Sequence, residues 1–153
     1  MLLREGVQEV FVRHKDKLFS TFAKYAANDK HSSQGDEINL KEFTMLLNDC
    51  GLMKHAMNKR LCNGIFNNAQ IARYGECAQA AESQMDREEF LEAVAAITAC
   101  ISPNPYIAFE QRLEELIVAM SEAGGAAHRE STMAHAKSQK AIKAKAKGTK
   151  GSS

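Results

Sequence analysis

At 153 residues, with 44% hydrophobic and 25% charged residues, the chain is long enough to bury one core and has the composition of an ordinary globular domain. Its formal net charge of +1 conceals a division: residues 1–123 hold 13 Lys and Arg against 18 Asp and Glu, a balance of −5, and residues 124–153 hold seven against one, a balance of +6. No run reaches membrane-spanning length, Met1-Leu2-Leu3 meets Arg4 and Glu5 too soon for a leader segment to be expected, and Cys50, Cys62, Cys77 and Cys100 form neither a CxxC pair nor a disulfide framework.

Val7, Phe11, His14, Leu18, Phe22 and Tyr25 recur at steps of three and four, which predicts a first helix over about 5–27. The polar stretch 28–37, with Ser32, Ser33 and Gly35, reads as a loop. Asn39 then caps a second helix, Glu42 three residues on completes a capping box, and Leu40, Phe43, Leu46 and Leu47 form its apolar side. Gly51 suits a left-handed position just past its end.

A third helix is expected over about 57–70 from Leu61, Ile65, Phe66 and Ala69, although Gly64 inside it lowers helix propensity. Residues 72–84 show no firm period and read as an extended loop. Asp86 and Glu89 repeat the capping arrangement and open a fourth helix carrying Phe90, Leu91, Val94, Ile97 and Ile101. After Ser102-Pro103-Asn104-Pro105, a fifth helix is expected with Asn104 as cap and Pro105 in its first position, its apolar stripe running through Tyr106, Phe109, Leu113, Leu116, Ile117 and Met120 to Gly124-Gly125. That stripe has the width of a core-facing helix closing the bundle; a helix offered to a partner's groove is the alternative. The expected core is Phe11, Phe19, Phe22, Phe43, Leu46, Phe66, Phe90, Val94 and Ile97. Residues 124–153 hold scarcely any large apolar side chain with which to build a core.

Two stretches share one layout: Ile38-Asn39-Leu40-Lys41-Glu42-Phe43 and Met85-Asp86-Arg87-Glu88-Glu89-Phe90 each follow a polar loop and place glutamate and phenylalanine after an apolar residue. Both resemble the exit of an EF-hand loop, where the apolar residues of two loops pair and the glutamate gives both oxygens to calcium. A twelve-residue loop ending at Glu42 would open on His31 and place Asp36 where the sharp turn needs glycine, so that frame fails. From Asp29 to Glu42 the spacing is similar to the first loop of the dimeric calcium-binding family with a pseudo-EF-hand. By that resemblance the carbonyls of Asp29, Ser32, Gln34 and Glu37 would join the Glu42 carboxylate, and calcium would bind weakly because few formal charges face it. The bland reading is that Glu42 and Glu89 only answer the unpaired N–H groups of their helices. Counted back from Glu89, the second loop offers Ala78, Ala80 and Glu82 and is expected to hold no calcium.

The paired layout, the stretch MDREEFLEAVAAI around Phe90 and the proline-broken amphipathic helix that follows are similar to degenerate EF-hand proteins of ciliary axonemes, over about residues 11–120. That resemblance implies a structural role on doublet microtubules.

Other constellations point less far. Cys50, His55 and Cys62, with His31, have irregular spacing for zinc, and single cysteines near helix ends are ordinarily small buried hydrophobes. No glycine elbow supports a cysteine nucleophile, no GK[ST] follows a glycine-rich loop, and the carboxylates at Glu88, Glu89, Glu92, Glu114 and Glu115 read as solvated helix faces. The tail lysines, Lys137, Lys140, Lys143, Lys145, Lys147 and Lys150, form a polyanion-binding segment for which acidic tubulin, nucleic acid and anionic lipid are physically equivalent. Without aromatic residues the tail lacks stacking platforms for single-stranded nucleic acid.

The expected fold is therefore all-α: an EF-hand-like helix–loop–helix pair with an added amphipathic helix in residues 1–123, and a basic low-complexity tail in 124–153. The expected function is that of a non-enzymatic, calcium-independent adaptor of axonemal microtubules, located in the cytoplasm and the cytoskeleton of the cilium or flagellum. Its partners would be tubulin or other axonemal proteins in a larger assembly, with no cofactor and no membrane. The rivals are a calcium-responsive regulator using Asp29–Glu42 and a nucleic-acid-associated protein using the tail.

Overall fold

The computed structural model of the chain describes residues 4–26, 36–74 and 84–123. In chain order these form α1 (Glu5–Ala26), β1 (Ile38–Asn39), α2 (Leu40–Asp49), α3 (Leu52–His55), α4 (Lys59–Tyr74), β2 (Gln84–Met85) and α5 (Arg87–Ile101), followed by a last helix, α6, over 109–123. Helices dominate the described residues. The strands are two residues each, antiparallel, with Ile38 opposite Met85 and Asn39 opposite Gln84.

Each short strand runs straight into a capped helix. The Asn39 side chain accepts the Glu42 N–H, and Glu42 Oε2 accepts the Asn39 N–H, both at 2.9 Å. Asp86 Oδ1 accepts the N–H groups of Glu88 and Glu89, and Glu89 Oε2 accepts the Asp86 N–H, again at 2.9 Å. These bonds occupy donors that a helix start leaves unpaired and fix where each chain segment turns from strand to helix. Asp86→Ala is expected to cost about 1 kcal/mol, within the usual range for a lost N-cap, read as a lowered denaturation midpoint; an unchanged midpoint would mean that the box does not hold α5. At the other end of α2, Gly51 has φ of +73°, and its N–H donates to the Asn48 carbonyl at 2.9 Å. Its left-handed backbone is one that side chains rarely adopt.

The core lies where α1, α2, α4 and α5 meet around the strand pair. Phe22, Phe43, Phe66 and Phe90 are fully buried, with Phe22 against Phe90 at 5.2 Å between ring centroids and Phe43 against Phe66 at 5.7 Å. Tilted pairs of this kind satisfy the ring quadrupoles while filling volume. Ile38 and Met85 close the cluster under the strand pair, both fully buried. Of the expected core residues, Phe19 alone is only partly buried: Lys15 Nζ and the Arg87 guanidinium sit 5.5 and 5.4 Å from its ring centroid, so cations cover what apolar atoms do not.

Three boundaries differ from the sequence reading. A one-turn helix, α3, follows Gly51. The third expected helix starts at Lys59 and runs to Tyr74, past the expected end at 70, because no glycine or proline stops it. The last helix begins at 109 and not at Tyr106. Asn104 Oδ1 accepts the Tyr106 N–H at 3.0 Å, closing a local turn in place of a cap, and the first helical backbone bond runs from the Arg112 N–H to the Ala108 carbonyl at 3.2 Å. Tyr106 is left 95% exposed and outside the apolar stripe.

The rest of that stripe is covered. Phe109, Leu113, Leu116, Ile117 and Met120 are buried, and α6 lies against α1 and the end of α2. A Cβ at Gly6 would stand 3.1 Å from Glu110 Cγ, and the Cys50 thiol donates to the Met120 carbonyl at 3.7 Å. An Arg112 N–H donates to the Ser102 carbonyl and binds α6 to the end of α5. The helix is thus a member of the bundle. Gly124-Gly125, the tail and its six lysines lie outside the described residues.

Candidate functional site

The antiparallel pairing brings the two loop exits side by side and aims Glu42 and Glu89 into matching positions at the starts of α2 and α5. Both are buried, and each uses Oε2 in its capping box. Of the candidate calcium loop, Asp29, Ser32 and Gln34 lie outside the described residues, and Glu37 is exposed. Ala78, Ala80 and Glu82 of the second loop also lie outside them. Asp36 bonds Arg87 Nη2 at 2.8 Å, which ties the first loop's exit to the first turn of α5. With both partners about half exposed, that pair contributes well under 1 kcal/mol and mainly fixes orientation.

The described cysteines, Cys50, Cys62 and Cys100, are free thiols, and Cys77 lies outside the described residues. Burial, and then the Asp49 charge, push the Cys50 thiol up to about 12, and burial raises Cys62, whose sulfur lies 3.6 Å from Thr44 Oγ1. Thiols held protonated in this way are poor nucleophiles and poor metal ligands. The His55 side chain and His31 lie outside the described side chains, so Cys50, His55, Cys62 and His31 are not seen as a set. Among the described residues no group of three or more His, Cys, Asp or Glu is placed to hold a metal ion. Nor is any described helix long and apolar enough to cross a membrane. Tyr25 donates to Asp49 Oδ2 at 2.8 Å, and burial together with that carboxylate drives its hydroxyl far above the usual tyrosine range, which keeps it a donor.

Two features were not anticipated from sequence. The first is a polar seam between α1 and α6, where Glu114 Oε1 meets His14 Nε2 at 2.9 Å and Arg13 Nη1 at 3.0 Å. Hydrogen bonds from His14 and then Arg13 hold the Glu114 carboxyl below its ordinary 4.5. A carboxyl lowered by folding stabilises the fold above its unfolded value and loses that contribution as pH falls through the folded value. Glu114→Gln is therefore expected to flatten the decline of the melting temperature below about pH 4.5; an unchanged acid slope would contradict this. No local pattern could reveal partners a hundred residues apart, although His14 on an otherwise apolar face was a hint.

The second is a groove of about 520 Å³ between α4 and α5, lined by Asn58, Arg60, Leu61, Gly64, Ile65, Asn68, Ala96 and Cys100. The signal for it was Gly64, an interior helix glycine. Among the described residues nothing lies within 4 Å of where its Cβ would be.

Among known families, the p25-alpha family model matches residues 19–100, more than half of the chain. The matched span runs from within α1 to the last turn of α5, and so includes both capped helix starts and the strand pair but neither α6 nor the tail. No curated protein and no solved structure matches the chain.

Proposed function

We propose that this chain, which belongs to the p25-alpha family, is a non-enzymatic structural adaptor on the microtubules of the ciliary axoneme. The family suggests a tubulin- or microtubule-associated role and a place in the cytoskeleton. The match over residues 19–100 carries the reading, because it includes both capped helix starts and the strand pair of Ile38 and Met85. The axonemal location and the larger assembly are the finer part of the proposal, drawn from the resemblance of the paired layout to degenerate EF-hand proteins of axonemes.

In this reading the two helix–loop–helix units are degenerate EF-hands that keep the mutual pairing of their loops for stability. Glu42 and Glu89 serve as capping residues, and no cofactor is needed. The body, with its balance of −5, would contact neighbouring proteins through its helical surface, while Lys137, Lys140, Lys143, Lys145, Lys147 and Lys150 hold the acidic filament.

Two measurements test the finer claims. Calorimetric titration with calcium is expected to be silent in the full chain. A calcium-specific transition abolished by Glu42→Ala would instead support a calcium-responsive regulator. A fluorescently tagged chain in ciliated cells should line the axoneme; a diffuse or nuclear signal would remove the ciliary assignment.

A further inference from the structure

We propose that the groove between α4 and α5 is a docking site for an acidic peptide segment of a partner protein, anchored by an apolar side chain. This deepens the microtubule-associated reading and rests on it for the identity of the partner, though not for the chemistry of the site.

Three features converge there. The first is charge. Although residues 1–123 carry an excess of five acidic groups, Arg60 is the one charged side chain among the described residues that line the groove, and none of those lining residues is a carboxylate. The second is the helix start. α1, α2 and α5 carry glutamates in their first turns, where the helix dipole favours negative charge. In α4 that turn carries Lys59 and Arg60 instead, both exposed, so its positive pole is reinforced. Asn58 Oδ1 caps the Leu61 N–H at 2.9 Å but adds no formal charge. A carboxylate from outside would supply the charge that this first turn lacks.

The third is Gly64. Glycine ranks next to proline as the least favourable residue in a helix interior. Here it answers no positive φ and no close approach, since its Cβ would meet nothing within 4 Å among the described residues. Its structural consequence is an open floor between Leu61, Ile65 and Ala96, where an apolar anchor can seat, with the amides of Asn58 and Asn68 at hand for a peptide backbone. A basic segment such as residues 124–153 would be repelled by Arg60 and Lys59.

The test uses the full chain and a short fluorescein-labelled peptide with glutamates around a central leucine pair, alongside a copy with lysine for glutamate. Gly64→Leu fills the floor with a better helix former, and Arg60→Glu reverses the charge. Thermal melts show whether each variant is folded. The expected result is that the glutamate peptide binds by fluorescence polarisation, weakens with added salt, and slows alkylation of the exposed Cys100 several-fold in site-resolved mass spectrometry. Both variants should lose at least tenfold in affinity, and the lysine peptide should not bind.

Equal binding to the wild type and both folded variants would overturn the proposal, as would no binding of the glutamate peptide or preference for the lysine peptide. Pelleting with polymerised tubulin separates the two readings. A chain that pellets while the glutamate peptide is silent keeps the microtubule role and loses the groove. A chain that binds the peptide through the groove without pelleting keeps the groove and loses tubulin as the partner.

Discussion

Replacing Phe90 by alanine is expected to lower the stability of the body by about 3–5 kcal/mol, enough to leave much of it unfolded at moderate temperature. Phe90 is fully buried, packs on Phe22 at 5.2 Å, and sits one residue beyond the capping glutamate that fixes the start of α5. Its removal opens a cavity beside the strand pair that rigid neighbours cannot fill. Phe19→Ala is the informative control. That ring is only partly buried and is covered by Lys15 and Arg87, so its loss should cost well under half as much. Urea denaturation of both variants reads the difference. Equal losses would mean that the cations over Phe19 do not mark a boundary of the core.

Ile38→Ala and Met85→Ala are each expected to cost about 2–5 kcal/mol, and the pair to be non-additive by roughly 0.5–3 kcal/mol. The two side chains come from loop exits nearly fifty residues apart, yet they stand opposite one another in the antiparallel ladder and are both fully buried. Whichever is removed first leaves the other without its cross-strand neighbour, so the second loss should be smaller. A double-mutant cycle that closes with no coupling would contradict the account of two units stabilising each other through their loops.

Much of this architecture was legible because it is local. The repeated pattern of apolar residue, cap and glutamate at Ile38–Glu42 and Met85–Glu89 announced two capped helix starts, and both capping boxes form; the two-residue strands before them were not expected. The period of α1 and the core phenylalanines of α2, α4 and α5 were equally clear, since amphipathic spacing is written along the chain. What stayed hidden depends on partners remote in sequence or on competition between local hydrogen bonds. Phe19 looks like core by period, and only the packing of α5 brings Arg87 over its face. Asn104 fits a cap by composition, yet its side chain bonds the Tyr106 N–H and delays the helix to 109. The Arg13–His14–Glu114 seam and the α4–α5 groove both require tertiary contact. Of the candidate ligands and lysines, Glu42 and Glu37 lie in the described residues, whereas Asp29, Ser32, Gln34 and the tail lie outside them.

The division of charge between body and tail gives the proposed function its most direct test. Residues 7–120 contain every buried core residue described, so a chain ending at residue 123 retains the bundle and removes the excess of six positive charges. The measurement is co-sedimentation of the full chain and of residues 1–123 with polymerised tubulin, each with and without calcium. The expected result is that the full chain pellets regardless of calcium, and that truncation weakens pelleting sharply as the lysines are lost. If neither form pellets under any condition, the microtubule-associated account is contradicted.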